Sequence, residues 1–98
     1  MTNRTELLKE FDRPKVISYT PEEIAIERDS YRQIVASFAL ENAEPKDFYK
    51  VISMERIRGE LTEEQARAIM LGNLPEETER IQAKLNRLAE LGLSWKDL

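Results

Sequence analysis

The sequence predicts an all-α protein, a small bundle of three to four helices with an extended N-terminal arm. Apolar residues recur at helical spacing in several segments, and two segments open with the capping-box pattern of Thr followed three residues later by Glu or Gln. Gly or Asn stands where each of these segments should end. The connections are as short as those between neighbouring helices in bundles, and 98 residues suffice for one modest core.

Residues 1–19 are expected to form a loosely held arm. Thr5–Phe11 could form about two helical turns, and Arg13-Pro14 would end them, because proline disfavours the helical conformation in the residue before it. Val16–Tyr19 contains β-forming residues but has no second strand with which to pair, so we expect it to be extended.

Residues 20–72 are expected to form the helical core, which opens with a long first helix. Thr20 can cap this helix, Pro21 suits the first helical position, and Glu23 completes a capping box. The helix should end near Asn42, since Asn tolerates the left-handed conformation that terminates helices.

The remaining helices are bounded by the same signals. The predicted segments are Lys46–Arg58 closed by Gly59, a short helix capped by Thr62 and stopped at Gly72-Asn73, and a helix from Pro75 to Gly92. Residues 73–98 are expected to be a C-terminal helix and tail that packs on the core, extends a partner contact or forms a dimer. Trp95 could anchor a partner or cover the core of its own chain.

Composition narrows the classes of function. The chain has no Cys and no His, which removes thiol nucleophiles, most zinc sites and the commonest general base, so we expect no enzyme, metal site or cofactor. A net charge of −4 argues against general nucleic-acid affinity. No apolar run approaches the roughly 18 residues of a membrane span, and the N-terminal residues lack a secretory signal, so we expect a cytoplasmic protein.

The first helix has two distinct surfaces on a helical wheel. One arc of roughly 140° holds the stripe expected to pack on the other helices: Ile24, Tyr31, Ile34, Val35, Phe38 and Ala39. Ser37 and Glu41 lie about 40° apart outside that stripe, and Ile26 and Leu40 also fall towards the polar side. These two aliphatic residues indicate a face that meets another protein, although single exposed apolar residues are normal.

Glu41 stands at an unfavourable place for an acid. The C-terminal end of a helix carries partial negative charge, so a carboxylate there costs roughly 0.3–1 kcal/mol. Something outside the helix could require a negative charge at this position. Alternatively, Glu41 could pair with Arg58 or another basic residue of its own fold, and Ser37 could be a solvated helical serine.

The pattern Ser37-x-x-x-Glu41-Asn42 resembles the (Ser/Thr)-x-x-x-Glu-(Gly/Asn) inhibition motif of Fic-toxin antitoxins. The flanking residues are similar to those of the small helical antitoxins of the VbhA type, over roughly half the chain from Pro21 to Leu71. They include Glu22-Glu23-Ile24, Arg28-Asp29, Ala36-Ser37, Glu44-Pro45, Met54-Glu55-Arg56 and Arg58-Gly59-Glu60-Leu61. The sequence departs from this family at Asn42, where Gly is usual, and at Ala43, where a larger aliphatic residue is typical.

This resemblance implies that the long first helix is inhibitory and that the partner is a Fic-domain toxin. Fic enzymes bind the ATP γ-phosphate with an arginine and transfer AMP to a target hydroxyl. By similarity, Glu41 would pair with that arginine, so that ATP binds with its α-phosphorus misaligned for attack. Ser37 would add a hydrogen bond, and Asn42 would turn the chain away from the enzyme. We expect the partner interface to include Ile26, Gln33, Leu40 and Trp95.

Two other functions compete with inhibition. The second and third predicted helices could form a DNA-binding helix-turn-helix in an autoregulator, but Glu63, Glu64 and Arg67 give the third helix little with which to read bases. The chain could also be a helical interaction module that binds a partner without inhibiting it.

Overall fold

A computed structural model of the chain describes residues 3–98, and all regular structure in that range is helical. The all-α prediction is therefore confirmed. The five α-helices are α1 Arg4–Leu8, α2 Pro21–Leu40, α3 Asp47–Ile57, α4 Glu63–Met70 and α5 Pro75–Glu90. Two short 3-10 turns, Lys9–Phe11 and Trp95–Asp97, lie near the two ends of the chain.

Helix α3 lies at the centre of the fold, where it contacts α2, α4, α5 and the C-terminal 3-10 turn. Val51, Ile52 and Met54 are fully buried, so three different directions around this helix meet other elements. The same helix also buries three polar residues, Lys50, Ser53 and Glu55. The rest of the core comes from both ends of the chain and from every other helix except α1: Phe11, Val35, Ile57, Leu61, Ala66, Ile69, Ile81, Leu88, Trp95 and Leu98.

Both predicted capping boxes are present. The Glu23 backbone N–H donates to Thr20 Oγ1 at 3.1 Å, and the Thr20 N–H donates to the Glu23 carboxylate at 3.0 Å. Thr62 and Gln65 make the same reciprocal pair at 3.0 and 2.8 Å. These bonds satisfy backbone donors that a helix leaves unpaired in its first turn, and they fix the starts of α2 and α4 where the sequence indicates.

The N-terminal arm is more ordered than the sequence predicts. Helix α1 is capped by the Asn3 side chain, which accepts from the Glu6 N–H at 2.9 Å, and this extra helix raises the count from the expected three or four to five. The two helical turns expected over Thr5–Phe11 are present, as Arg4–Leu8 and Lys9–Phe11, but this part of the arm is not loosely held, because Phe11 is buried in the core and Leu8 packs against it. Burial of one large aromatic side chain stabilises a segment too short to be helical alone.

The second half of the arm is held by the backbone of Gly59. The N–H groups of Val16 and Ile17 both donate to the Gly59 carbonyl, at 2.8 and 3.0 Å. Gly59 has φ of +81°, and a Cβ atom there would overlap the carbonyl oxygen of Ile17. Glycine is therefore required at this position for two reasons, the left-handed backbone conformation and the close approach of the arm.

A buried carboxylate joins three parts of the chain. Glu55 on α3 is 0% exposed and accepts hydrogen bonds from Arg80 at 2.7 and 2.8 Å, from Lys84 at 2.7 Å and from Arg13 at 3.3 Å. Burial opposes ionisation, but the hydrogen bonds from Arg80 and the charge of Lys84 lower the pKa of Glu55 to about 2. The ionised Glu55 thus ties the arm and α5 to the central helix.

Replacing this carboxylate by an amide tests its structural role. In the Glu55→Gln variant, three basic side chains face a neutral group, and we expect unfolding free energy to fall by about 3–5 kcal/mol in urea titrations. Glu63→Gln is the control, because Glu63 is exposed and its ion pair with Arg67, at 3.8 Å, lies on the surface. That surface pair should contribute at most about 1 kcal/mol. Equal losses in the two variants would contradict the assigned role.

The same carboxylate predicts a dependence of stability on pH. Folding lowers the pKa of Glu55 from its ordinary value of 4.5 to about 2, so its contribution is complete above pH 4.5 and is lost as the pH falls towards 2. The difference in unfolding free energy between the wild type and Glu55→Gln should shrink across that interval. Urea titrations of both proteins at pH 7, 4 and 2.5 measure it, and a constant difference would refute the expectation.

Candidate functional site

Helix α2 ends in a Schellman turn at the predicted position. The Ala43 N–H donates to the Phe38 carbonyl at 2.8 Å, and the Asn42 N–H donates to the Ala39 carbonyl at 3.1 Å. Asn42 has φ of +58°, the left-handed conformation that this turn requires. Glu41 is the last residue before the turn, so its side chain projects from the end of a twenty-residue helix.

The Glu41 carboxylate is exposed and has no hydrogen bond or ion pair with any other residue in the range 3–98. The alternative in which it pairs with Arg58 does not occur. Arg58 instead donates to Glu60 at 3.2 Å, to Asp12 at 3.0 Å and to the main-chain oxygen of Leu98 at 3.2 Å. The acid therefore bears the unfavourable charge of the helix end without compensation from its own fold.

Ser37 lies one turn before Glu41 and is also exposed. Helical serine and threonine hydroxyls often donate to the carbonyl four residues earlier, as Thr78 does to Leu74 at 3.2 Å in α5. Ser37 makes no such bond within the part of the chain that the structure describes. Its hydroxyl group is available to a ligand on the same flank of the helix as the Glu41 carboxylate.

Several large apolar side chains are exposed on the same helix as these two polar residues. Leu40 is 88% exposed and Ile26 is 67% exposed, and Gln33 is exposed between them along the same side of α2. Ile34 and Phe38 are 49% and 44% exposed. We call Ile26, Gln33, Ile34, Ser37, Phe38, Leu40 and Glu41 the outer face of α2.

The sequence-based packing stripe is wrong for Ile34, Phe38 and Ala39, which are exposed. Only Val35 is fully buried in α2, with Ile24 and Tyr31 packed partly against the core. A helical wheel treats the helix as covered along its entire length. In the fold, a cavity of about 450 Å³ lies between Ala36 and Ala39 of α2 and the 3-10 turn containing Trp95. The last five residues of α2, Ala36–Leu40, are all exposed.

Trp95 lies in the core and does not belong to the exposed surface. It is 5% exposed, and its ring meets Tyr31 edge-on with centroids 5.8 Å apart. The Lys50 ammonium lies 5.2 Å from the Trp95 ring centroid. The assignment of Trp95 to a partner interface is thus replaced by the alternative in which it covers the core of its own chain.

Lys50 fixes the connection between α2 and α3, a role that the sequence did not indicate. Its ammonium group pairs with Glu44 in that connection and with Asp47 at 3.1 Å, while the residue is 4% exposed. Burial disfavours the charged lysine, but hydrogen bonds to Glu44 and Asp47 raise the pKa of Lys50 above its ordinary value. The turn that carries Glu41 and Asn42 is therefore attached to the core through Lys50.

The surface of α4 offers little for reading DNA. Glu63, Glu64 and Arg67 are exposed, and the Arg67 guanidinium lies 3.8 Å from the Glu63 carboxylate. Two of these three side chains would repel phosphate groups.

Comparison with known protein families, with curated proteins and with solved structures gives no significant match. None of the helices within residues 3–98 is both long and apolar enough to cross a membrane. No group of three or more carboxylates in that range comes together in a way that could hold a metal ion. The candidate site therefore stands on its own geometry.

The left-handed conformation of Asn42 predicts a specific pattern of substitutions. Asn42→Gly should leave unfolding free energy within about 0.5 kcal/mol of wild type, because Gly adopts this conformation readily. Asn42→Val should cost about 1–2 kcal/mol, since a β-branched side chain crowds the backbone in this conformation more than the Asn side chain does. Urea denaturation measures both, and equal stability of the Gly and Val variants would argue against the observed turn.

Proposed function

We propose that this chain is an antitoxin that binds a Fic-domain AMP-transferase toxin and inhibits it through Glu41. The observation that supports the proposal best is the state of that carboxylate, which is exposed at the end of α2 and unpaired within residues 3–98. An acid held at the negative end of a helix with no partner suits a basic group on another molecule.

The proposed mechanism is competition for one guanidinium. The resemblance described above implies that Glu41 pairs with the toxin arginine that would otherwise bind the ATP γ-phosphate. Charge-assisted arginine–carboxylate bonds are among the stronger hydrogen bonds in proteins. ATP then binds with its reacting phosphorus out of line, and a displacement of about 1 Å can cost a hundredfold in rate.

The other residues of the outer face have separate roles in this proposal. The Ser37 hydroxyl adds a hydrogen bond beside the Glu41 carboxylate, and the turn at Asn42 directs the chain away from the enzyme. Leu40 and Ile26, the most exposed large apolar residues of α2, supply surface that becomes buried on binding. Gln33 lies between them and contributes polar contacts.

Substitution of Glu41 tests inhibition apart from binding. The partner for the assay is the protein encoded beside this chain that carries a His-Pro-Phe…Gly-Asn-Gly-Arg loop. In the Glu41→Ala variant, we expect the complex to form, while transfer of radiolabelled AMP to the toxin or its target rises about a hundredfold over the wild-type complex. Absence of such a neighbouring protein would count against the proposal.

Glu79→Ala is the matched control. Glu79 is an exposed helical acid on α5 that forms no ion pair with residues 3–98, so its loss changes net charge equally. The control complex should stay inhibited. If the Glu41→Ala complex also stays fully inhibited, Glu41 is not the inhibitory group and the proposal fails.

The exposed apolar residues favour a second candidate, an interaction module that binds a partner without inhibiting it. Leu40→Ser should weaken binding under either function, so it does not separate them. The AMP-transfer activity of the wild-type complex separates the two functions. If the toxin saturated with this chain transfers AMP as fast as the free toxin, the chain is the non-inhibitory module.

A further inference from the structure

A basic cavity lies on the core-facing side of α2, away from Glu41. It has a volume of about 300 Å³ and is lined by Lys15, Pro21, Ile24, Arg28, Arg58 and Leu98. Ile24 and Arg28 are more than about 90° around the helix axis from Glu41. The cavity is therefore separate from the outer face, and its volume is at the lower end of the range of roughly 300–1,000 Å³ for small-molecule pockets.

Two of the three basic residues already have acidic partners. Arg58 lies 3.0 Å from Asp12 and 3.2 Å from Glu60, and Lys15 lies 3.6 Å from the same Glu60 carboxylate oxygen. Each retains donors beyond these contacts, since a guanidinium has five and an ammonium three. Arg58 also donates to the main-chain oxygen of Leu98 at 3.2 Å, so Lys15 and Arg58 already face two carboxylates and one further acceptor at this cavity.

Arg28 has no such partner. Within residues 3–98 its guanidinium forms no ion pair, and its Nε atom is buried without a hydrogen-bond acceptor. Partial burial, and then repulsion from Arg32 and Arg58, lower the pKa of Arg28 from its ordinary value. The neighbouring Asp29 offsets this only in part, and its carboxylate lies 3.8 Å from Arg32. An uncompensated, half-buried charge is costly unless something pairs with it.

We propose that this cavity binds a phosphate group, with Arg28 as its principal contact and Lys15 and Arg58 as supporting donors. The three side chains come from the N-terminal arm, α2 and the C-terminal end of α3, so they approach the cavity from different directions. A tetrahedral dianion can accept hydrogen bonds from several directions, whereas a carboxylate accepts in one plane. The arginine fork matches phosphate geometry and adds charge-assisted bonds.

Phosphate binding can be measured on the whole chain with inorganic phosphate as the probe. Titration calorimetry against sodium chloride of equal ionic strength should detect binding, and the Arg28 Nε–H proton should shift in ¹H–¹⁵N NMR spectra as it gains an acceptor. Arg28→Gln should weaken the affinity at least about tenfold, the effect of one lost hydrogen bond to a charged group. Arg67→Gln removes an exposed arginine of α4 and should leave the affinity unchanged.

Removing Arg28 should not unfold the protein, because the substitution relieves repulsion among three arginines. Arg28→Lys is the second variant: it keeps the charge but loses the fork, and its affinity should fall between those of the wild type and Arg28→Gln. If Arg28→Gln unfolds, the phosphate affinity of Arg28→Lys and the shift of the Arg28 Nε–H resonance in the wild type still test the proposal. Two results would overturn the proposal. One is a calorimetric signal from phosphate no larger than that from chloride, and the other is an equal phosphate affinity of Arg28→Gln and the wild type.

A second titration distinguishes a free phosphate from a phosphate ester. Glycerol 3-phosphate that binds more tightly than inorganic phosphate would indicate a phosphomonoester ligand, and weaker binding would indicate the free ion. Acetate is the negative probe, and binding as tight as that of phosphate would overturn the assignment to phosphate. A negative result in these phosphate titrations would not bear on the proposed inhibitory role of Glu41, because the cavity and the outer face share no residue.

Discussion

The fold depends on one buried negative charge. Glu55 lies on the central helix α3 and is fully buried. Arg13, Arg80 and Lys84 contact it from two other parts of the chain. Apolar burial alone would allow α5 to slide or rotate against α3, because hydrophobic contacts have no preferred direction. A carboxylate that must meet basic groups from α5 and from the arm permits few arrangements. We infer that Glu55 selects the packing of these elements, while the apolar core supplies most of the stability.

Helix α2 lies outside this network, and most of its surface remains exposed. It contributes one fully buried residue, Val35, although it is the longest helix of the fold. It is attached near its middle by Tyr31 against Trp95 and beyond its C-terminal end by the pairing of Glu44 with Lys50. A long helix supported in this way remains rigid without burying its outer face, since its backbone hydrogen bonds are internal.

The features that the sequence predicted are those controlled by local chemistry. The capping boxes at Thr20 and Thr62 and the left-handed turn at Asn42 require only neighbouring residues, and each is found where the pattern placed it. The exposure of Ile34 and Phe38 depends on how far other elements extend along α2, which periodicity does not encode.

The partners of charged residues were equally hidden from sequence reasoning. Lys50 and Lys84 read as ordinary polar positions of amphipathic helices, yet both are buried beside acids. Of the candidate site, the sequence could locate Ser37, Glu41 and Asn42 and the exposed Ile26, Gln33 and Leu40. It could not exclude Trp95, because an aromatic residue near a chain end suits a core and an interface equally. The cavity around Arg28 required tertiary structure, since its basic residues are distant in sequence.

The two glutamates that matter most here are opposite cases. Glu55 is buried, multiply hydrogen-bonded and ionised because its own fold compensates its charge. Glu41 is exposed at the negative end of a helix, among apolar side chains, and its own fold does not compensate it. Exposed charges without partners are common and have no meaning alone. An acid at a position that is unfavourable for helix stability differs, because local stability does not explain its presence there. Residues 3–98 supply no compensating charge for Glu41, and the proposed function assigns that charge to an arginine of the partner.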